Sequence, residues 1–461
     1  MANSPFLGMR GSGDWATDQR PKSWREGILY LYPNGMMPLT AIMSKMKSEK
    51  VSDPEFNWWT KKLPEQAGAV TKVYTNSDLG GGHEYEDTYP SGGDGAAAAT
   101  TLYVKMAEAA AQQFRVGHQV LLRDASDPYA DVNAKVTARA LNGASSYLTV
   151  TLLEADDNSY DILGAASHNL SDCDRCIIIG NINEEGAYMP NSISYDPVKY
   201  YNYTQIFKTP LSITRTARET KLRTGDAYKE MKREALELHG IELEKAFIFG
   251  IPTEGTGSVM SKPERTTAGI INFIRANVPA NFNDFRLNST YSGKGWLDAG
   301  GGETWLENYL EQVFRFGRPE KLAIIGSGAL LGLNRLVKSL GHYELKAREV
   351  AYGIKIVEWI TPYGSIYLKT HPLLSQESST RQSMILLEPE NLTYRYITDT
   401  TFFGMDTQGN ASPGGVSTPS ITAYGNRVDA TNEEFLTECG LELHHPDCFM
   451  YLDGIGADSA V

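Results

Sequence analysis

The sequence predicts an α+β fold organised on one long helix, with a small β-barrel or sandwich inserted ahead of it. Three features carry that expectation. Residues 224–250, TGDAYKEMKREALELHGIELEKAFIFG, place Tyr228, Met231, Ala235 and Leu238 three and four apart, with Lys229, Lys232, Arg233, Glu234 and Glu237 on the other faces. That spacing belongs to an amphipathic helix. Residues 101–190 instead alternate apolar and polar side chains in short stretches between turn signals, as strands do. Beyond residue 318 an apolar strand, a tight turn and a helix lead into several more strands.

In chain order, residues 1–62 hold Trp15, Trp24, Trp58 and Trp59 among prolines, glycines and charges. They have too few apolar runs to close a core, yet too many aromatics for a solvated tail, so an arm lying on another surface is expected. Residues 70–101 are rich in glycine and alanine and predict a projecting loop, with the strand VTKVYT leading into it. The β unit at 101–190 follows. Next, NSISYDPVKYYNYTQIFKTPLSITRTAR mixes Tyr195, Tyr200, Tyr201, Tyr203 and Phe207 with β-branched residues and reads as a long extended segment. Arg215, Arg218, Lys221 and Arg223 give its end a basic cluster, suited to nucleic acid or to acidic groups of a neighbouring copy.

The long helix has Thr224 or Asp226 as its cap, and Gly250 before Pro252 as its stop, glycine taking a left-handed turn. Its apolar stripe shifts near Gly240 to Leu243, Ala246, Phe247 and Phe249, which predicts a change of packing partner. Residues 251–302 read as loop with one apolar piece, GIINFI, and residues 304–316 as a second core helix. KLAIIGSGALLGLNRLVKSL is a buried strand, a turn and a third helix. IKIVEWI, GSIYLKTH, SMILLEP and LTYRYI then suit one antiparallel sheet, residues 400–432 read as extended loop, and two strands around a His-Pro-Asp turn end the sequence.

The charge of −13, from 56 acidic and 43 basic residues, argues against a protein that coats nucleic acid through a broad basic surface. No apolar run reaches membrane-spanning length, and the first residues lack the pattern of a secretion signal. Cys173, Cys176, Cys439 and Cys448 are too few for a disulfide scaffold. Cys173 and Cys176 form a CxxC without a second ligand pair, which reads as two thiols at a buried strand. His444, His445 and Cys448 read as a turn, because neighbouring strand residues point to opposite faces. Gly326, Gly328 and Gly332 fail the dinucleotide spacing, since Leu331 stands where the third glycine belongs. Neither GxSxG nor HExxH occurs, so no catalytic site, cofactor or metal is expected.

The order of arm, long loop, spine helix, mixed domain and returning strands resembles the major capsid proteins of tailed bacteriophages, with their Hong-Kong-ninety-seven-type fold. GILYLYPNGMMPLTAIMSKMKSEKVSDPEFNWWTKKLP, TRTARETKLRTGDAYKEMKREALELHGIELEKAFIFG and TTFFGMDTQG strengthen the likeness. The resemblance implies an N-terminal arm over 1–62, an E-loop over 63–215 carrying the β unit, and a peripheral domain over 216–317 with its spine at 224–249. It further implies an axial domain over 318–398 and a return to the peripheral domain over 399–461. The implied partners are further copies in hexamers and pentamers, portal, scaffolding or decoration proteins, and packaged double-stranded DNA enclosed without sequence-specific binding; no membrane is implied. The shell would be part of the virion and would assemble in the host bacterial cytoplasm. Trp15, Trp24, Trp58, Trp59, Tyr200, Tyr201, Tyr203, Arg215, Arg218 and Arg223 are the candidate inter-subunit contacts. A tail or other structural assembly protein is the alternative, and a nucleotide-binding enzyme using the Gly326 turn stands behind both.

Overall fold

The computed structural model of the protein describes residues 47–85, 99–124, 131–154, 170–186, 188–220, 226–258, 261–340, 345–350, 354–405, 411–413 and 430–460. Trp15, Trp24, Arg223 and Thr224 lie outside the described residues. Two compact units are present, Lys61–Val198 and the combination of Met1–Thr60 with Lys199–Val461. The larger opens with β1 (Lys47–Lys50) and β2 (Glu55–Thr60).

The smaller unit is a barrel. Its strands are β3 (Ala67–Tyr74), β4 (Thr101–Met106), β5 (His118–Arg123), β6 (Val132–Ala140), β7 (Tyr147–Leu152) and β8 (Arg175–Asn181), with the short helix α1 (Glu108–Ala111) after β4. They close in the order β3-β4-β7-β6-β5-β8, each pair antiparallel. Leu148, Val150 and Leu152 of β7 point into the core, and Tyr147, Thr149 and Thr151 point away from it, the alternation a barrel wall requires. The barrel starts at Ala67 rather than at residue 101. The strand expected to lead into a projecting loop is a stave, because β4 and β8 would otherwise keep open edges, and β3 pairs with both.

Beyond the barrel come β9 (Val198–Tyr203), which pairs with β2, then β10 (Gln205–Thr214), α2 (Arg215–Glu219) and the spine helix α3 (Ala227–Phe249). At 23 residues α3 is about 34 Å long. Asp226 caps it, its Oδ1 accepting from the Tyr228 amide at 3.0 Å. Gly250 ends it with φ −56°, so no left-handed turn occurs. Glycine is needed there for a different reason: a Cβ would stand 2.4 Å from the Thr267 carbonyl oxygen and 2.5 Å from that of Ala246. The buried face runs through Ala235, His239, Leu243 and Phe247 without interruption near Gly240, while Leu238 and Phe249 are exposed. His239 fills the apparent gap in the stripe. Its ring nitrogens bond Thr209 of β10 at 2.9 Å and Thr437 at 2.7 Å, which satisfies a polar side chain at a core position. The packing partner does change along the rod, from these threonines to Ile270 and Ile274 beside Phe247 and Ile248.

The hairpin β11 (Thr253–Thr256) and β12 (Pro263–Thr266) leads into α4 (Ile270–Asn277), so GIINFI starts a helix, not an isolated apolar piece in a loop. β13 (Phe282–Asp284), α5 (Gly302–Phe314), β14 (Glu320–Ile325), α6 (Ser327–Leu340), β15 (Leu345–Val350), β16 (Ile354–Thr361), β17 (Gly364–Thr370), α7 (Pro372–Gln376) and β18 (Met384–Leu387) follow. The chain ends through β19 (Leu392–Met405), β20 (Ala411–Pro413), β21 (Ala430–Leu443) and β22 (Met450–Asp453). One sheet has the order β13-β22-β18-β14-β17-β16-β15 and is mixed, since β14 runs parallel to β17 and β13 parallel to β22. Its central strands β14 and β18 are buried on both faces. Leu322, Ile324, Ile385 and Leu387 face the core of α3 and α4, and Ala323, Ile325, Met384 and Leu386 face that of α5 and α6. Both-sided burial explains the unbroken apolar run of β14.

LTYRYI does not join that sheet. It lies in β19, within the order β1-β19-β21-β10, and the strand continues through residues expected to be loop. The predicted single antiparallel sheet is therefore two sheets. The return from 399 is divided between them, β21 in one and β22 in the other.

Candidate functional site

The β2–β9 ribbon sorts the sequence candidates by strand alternation. Phe56 and Trp58 face inward, and so do Tyr200 and Asn202. Trp58 is 6% exposed, stacks on Phe56, Tyr200 and Phe273 at 6.0, 6.1 and 6.0 Å, and donates its indole N–H to Leu443 O at 3.0 Å. Its surface is spent inside its own chain, which removes it from the inter-subunit candidates. Tyr200 is partly buried against the same core, and that burial pushes its hydroxyl pKa above the ordinary value.

The opposite face carries Trp59, 63% exposed, Tyr201, 51% exposed, and Tyr203, whose ring meets that of Tyr201 edge-on at 5.7 Å. An exposed tryptophan on the same face of the ribbon as two tyrosines has the composition of a protein-binding surface. Lys61, Lys62 and Leu63 follow one residue after Trp59 and are exposed, Leu63 by 81%. Tyr188 and Met189 are the most exposed large apolar side chains described, at 98% and 94%. Sequence reasoning missed Leu63, Tyr188 and Met189, because one or two apolar residues next to a proline give no periodic signal.

The basic cluster is only partly a surface. Arg215 is exposed, but Arg218 donates to Thr431 Oγ1 at 3.4 Å and lies over the Tyr228 ring at 5.0 Å, so it ties α2 to α3 and β21.

A second charged group, unforeseen in the sequence, fixes the start of the described chain. Arg395 of β19 pairs with Glu49 of β1 and Glu442 of β21, and Glu442 also bonds His444. Burial alone would raise the Glu442 carboxyl, but His444 and Arg395 outweigh it and hold the pKa below the usual range. The Lys47 hydrogen bond, foremost, and Arg395 lower that of Glu49, against a raising effect of burial. β1 is thus clamped parallel to β19 by charge as well as by its ladder.

The glycine turn offers no phosphate cradle. A Cβ on Gly326 would stand 2.3 Å from Arg381 O, and one on Gly332 would stand 2.6 Å from Gly456 Cα. The Gly326, Ser327 and Ala329 amides already donate to Ser383 O, Ser375 Oγ and Arg381 O at 3.0, 3.1 and 3.0 Å. Close packing accounts for these glycines. Cys173 and Cys176 are free thiols in the barrel core, and desolvation pushes that of Cys173 up to about 12. His445 sits in a left-handed turn, φ 52°, before Pro446. Among the described residues no group of three or more metal-ligating side chains comes together.

What the geometry presents is a chain of structural type: two sheets braced by a spine helix, an inserted barrel, and aromatic surface left uncovered. The family model described as SU10 major capsid protein matches residues 11–456, and the chain belongs to that family. A curated relative, the major capsid protein of Pseudomonas phage PaMx41, is 25% identical over 282 residues. That match covers 61% of this chain and spans 66% of the relative's length. Among solved structures, Microbacterium phage Oxtober96 is similar at 8% identity and a TM-score of 0.40, covering 95% of each chain. The capsid structure of the cyanophage P-SCSP1u is similar at 10% identity and a TM-score of 0.36, covering 59% of this chain and 79% of its own. The family match bears out the resemblance noted in the sequence.

Proposed function

We propose that this chain is the repeating subunit of a phage head, an icosahedral or prolate shell built of its hexamers and pentamers around double-stranded DNA. The observation that carries the reading is family membership over residues 11–456. The aromatic face of Trp59, Tyr201 and Tyr203 supports it, since exposed aromatic surface of this kind marks a place where another molecule docks. Many modest contacts of this kind add up in a closed shell. In this reading residues 1–62 are an arm anchored on its own chain by β1 and β2, 63–215 an E-loop reinforced by the barrel, 216–317 and 399–461, apart from β22, the peripheral domain, and 318–398 the axial domain. The net charge of −13 lets packaged DNA lie against an inner wall without sticking. Portal, scaffolding and decoration proteins would complete the virion, and assembly would take place in the host cytoplasm.

Negative-stain microscopy of the purified protein tests the reading. Closed shells or rings with five- and sixfold symmetry are expected; tubes or fibres would favour a tail protein. Removing residues 1–46, which spares Glu49 and its clamp, should leave a folded chain whose shell yield collapses. Unchanged shells would refute the arm.

A further inference from the structure

The larger unit holds a narrow groove, open to solvent, between α5, α6 and the β16–β17 turn. Leu306 and Leu310 of α5, Leu333 and Leu336 of α6, and Trp359 of β16 line it. Two carboxylates from one face of α5, Glu303 and Glu307, sit at its side. Trp359 Nε1 is buried with no acceptor among the described residues, an incomplete wall in an otherwise apolar slot. The groove asks for an apolar knob carrying positive charge.

The chain itself presents one. Trp59-Thr60-Lys61-Lys62-Leu63 has an exposed aromatic at one end, an exposed leucine at the other, and two exposed lysines between them. Of the other tryptophans in residues 1–62, Trp24 has Lys22 and Arg25 beside it but also Glu26, and lies outside the described residues. Trp58 is spent in the core, and Trp15 is flanked by Asp14 and Asp18, of the same sign as the groove.

We propose that Trp59 of one copy seats in the α5–α6 groove of a second copy, with Lys61 and Lys62 meeting Glu303 and Glu307. The contact is heterologous, a knob on one molecule and a socket on the next, and such contacts form rings where the rotation between copies closes. Burial of the indole supplies the affinity, and the charges set the register. This pairing rests on the shell reading and names one of its interfaces.

Two experiments separate the pairing from that reading. In the first, full-length protein labelled with nitrogen-15 is mixed with unlabelled protein and treated with a carbodiimide, which joins a lysine to a carboxylate only at contact. Peptide pairs of mixed isotope linking Lys61 or Lys62 to Glu303 or Glu307 are expected, whether or not shells form. Absence of the link, or a link found only within one isotope, overturns the pairing. In the second, Lys61→Glu/Lys62→Glu and Glu303→Lys/Glu307→Lys chains are expressed apart and together. Each alone should lose at least tenfold in sedimenting assemblies, and the mixture should recover most of the loss, because each variant's knob then finds a socket of opposite charge. Wild-type yields from either variant alone, or no recovery on mixing, overturn it. If links form but microscopy finds no shells, the shell reading falls and the pairing stands.

Discussion

Lys321 is fully buried, and its ammonium has specific work to do. Nζ donates to Glu388 Oε1 at 2.6 Å and to Phe316 O at 3.1 Å, while Glu388 also accepts from the Arg318 amide at 2.9 Å and from Asn391 Nδ2 at 2.7 Å. The pair locks the start of β14 to the turn after β18. Lys321→Met strands a buried carboxylate, and urea unfolding should register a loss of about 3–5 kcal/mol. Adding Glu388→Leu should recover much of it, since an apolar pair carries no stranded charge. Glu442 gives a pH prediction. Its pKa is lower folded than unfolded, so its stabilising effect is present above the unfolded value of about 4.3 and disappears as pH falls through the folded one. The wild-type urea midpoint should fall between neutral pH and about pH 3.5. Arg395→Met should start from a lower midpoint and lose less across the same window, because the arginine no longer holds the carboxyl down.

Among the elements, the spine helix and the α4 that follows it meet through backbone. A Cβ on Gly269 would stand 2.7 Å from the Gly250 amide and 2.8 Å from the Ile248 carbonyl, so neither partner can move aside cheaply. Gly250→Ala and Gly269→Ala should each cost about 1–3 kcal/mol in chemical unfolding. Gly255→Ala, where nothing lies within 4 Å, should cost far less. The sequence made the spine legible because a 3.6-residue period leaves a long record, yet it misplaced the stripe at His239, whose two threonine partners lie 30 and 198 residues away. The β unit was legible from its alternation. Its first stave was not, because glycine-rich sequence separates β3 from the rest and period carries no information about closure. The parallel β14–β17 pairing and the departure of β19 to another sheet were equally hidden, since partner choice is made by distant residues. At the candidate site, Trp58 and Trp59 read alike in the sequence as contact candidates, and only one of them faces outward. Only the core formed by Phe273, Tyr200 and Leu443 decides which.

At the scale of the molecule, two cores of the larger unit share one sheet, while the barrel closes around its own. Residues 61–198 expressed alone should therefore give one cooperative thermal transition and a β-type circular dichroism spectrum; a chain that stays unfolded would show that the barrel borrows its stability. The chain goes out along β2 and comes back along β9, and those two strands are hydrogen-bonded neighbours. The two ends of the module are thereby held side by side. A foreign domain with adjacent termini, spliced in after Leu63, would leave the two strands of the ribbon paired.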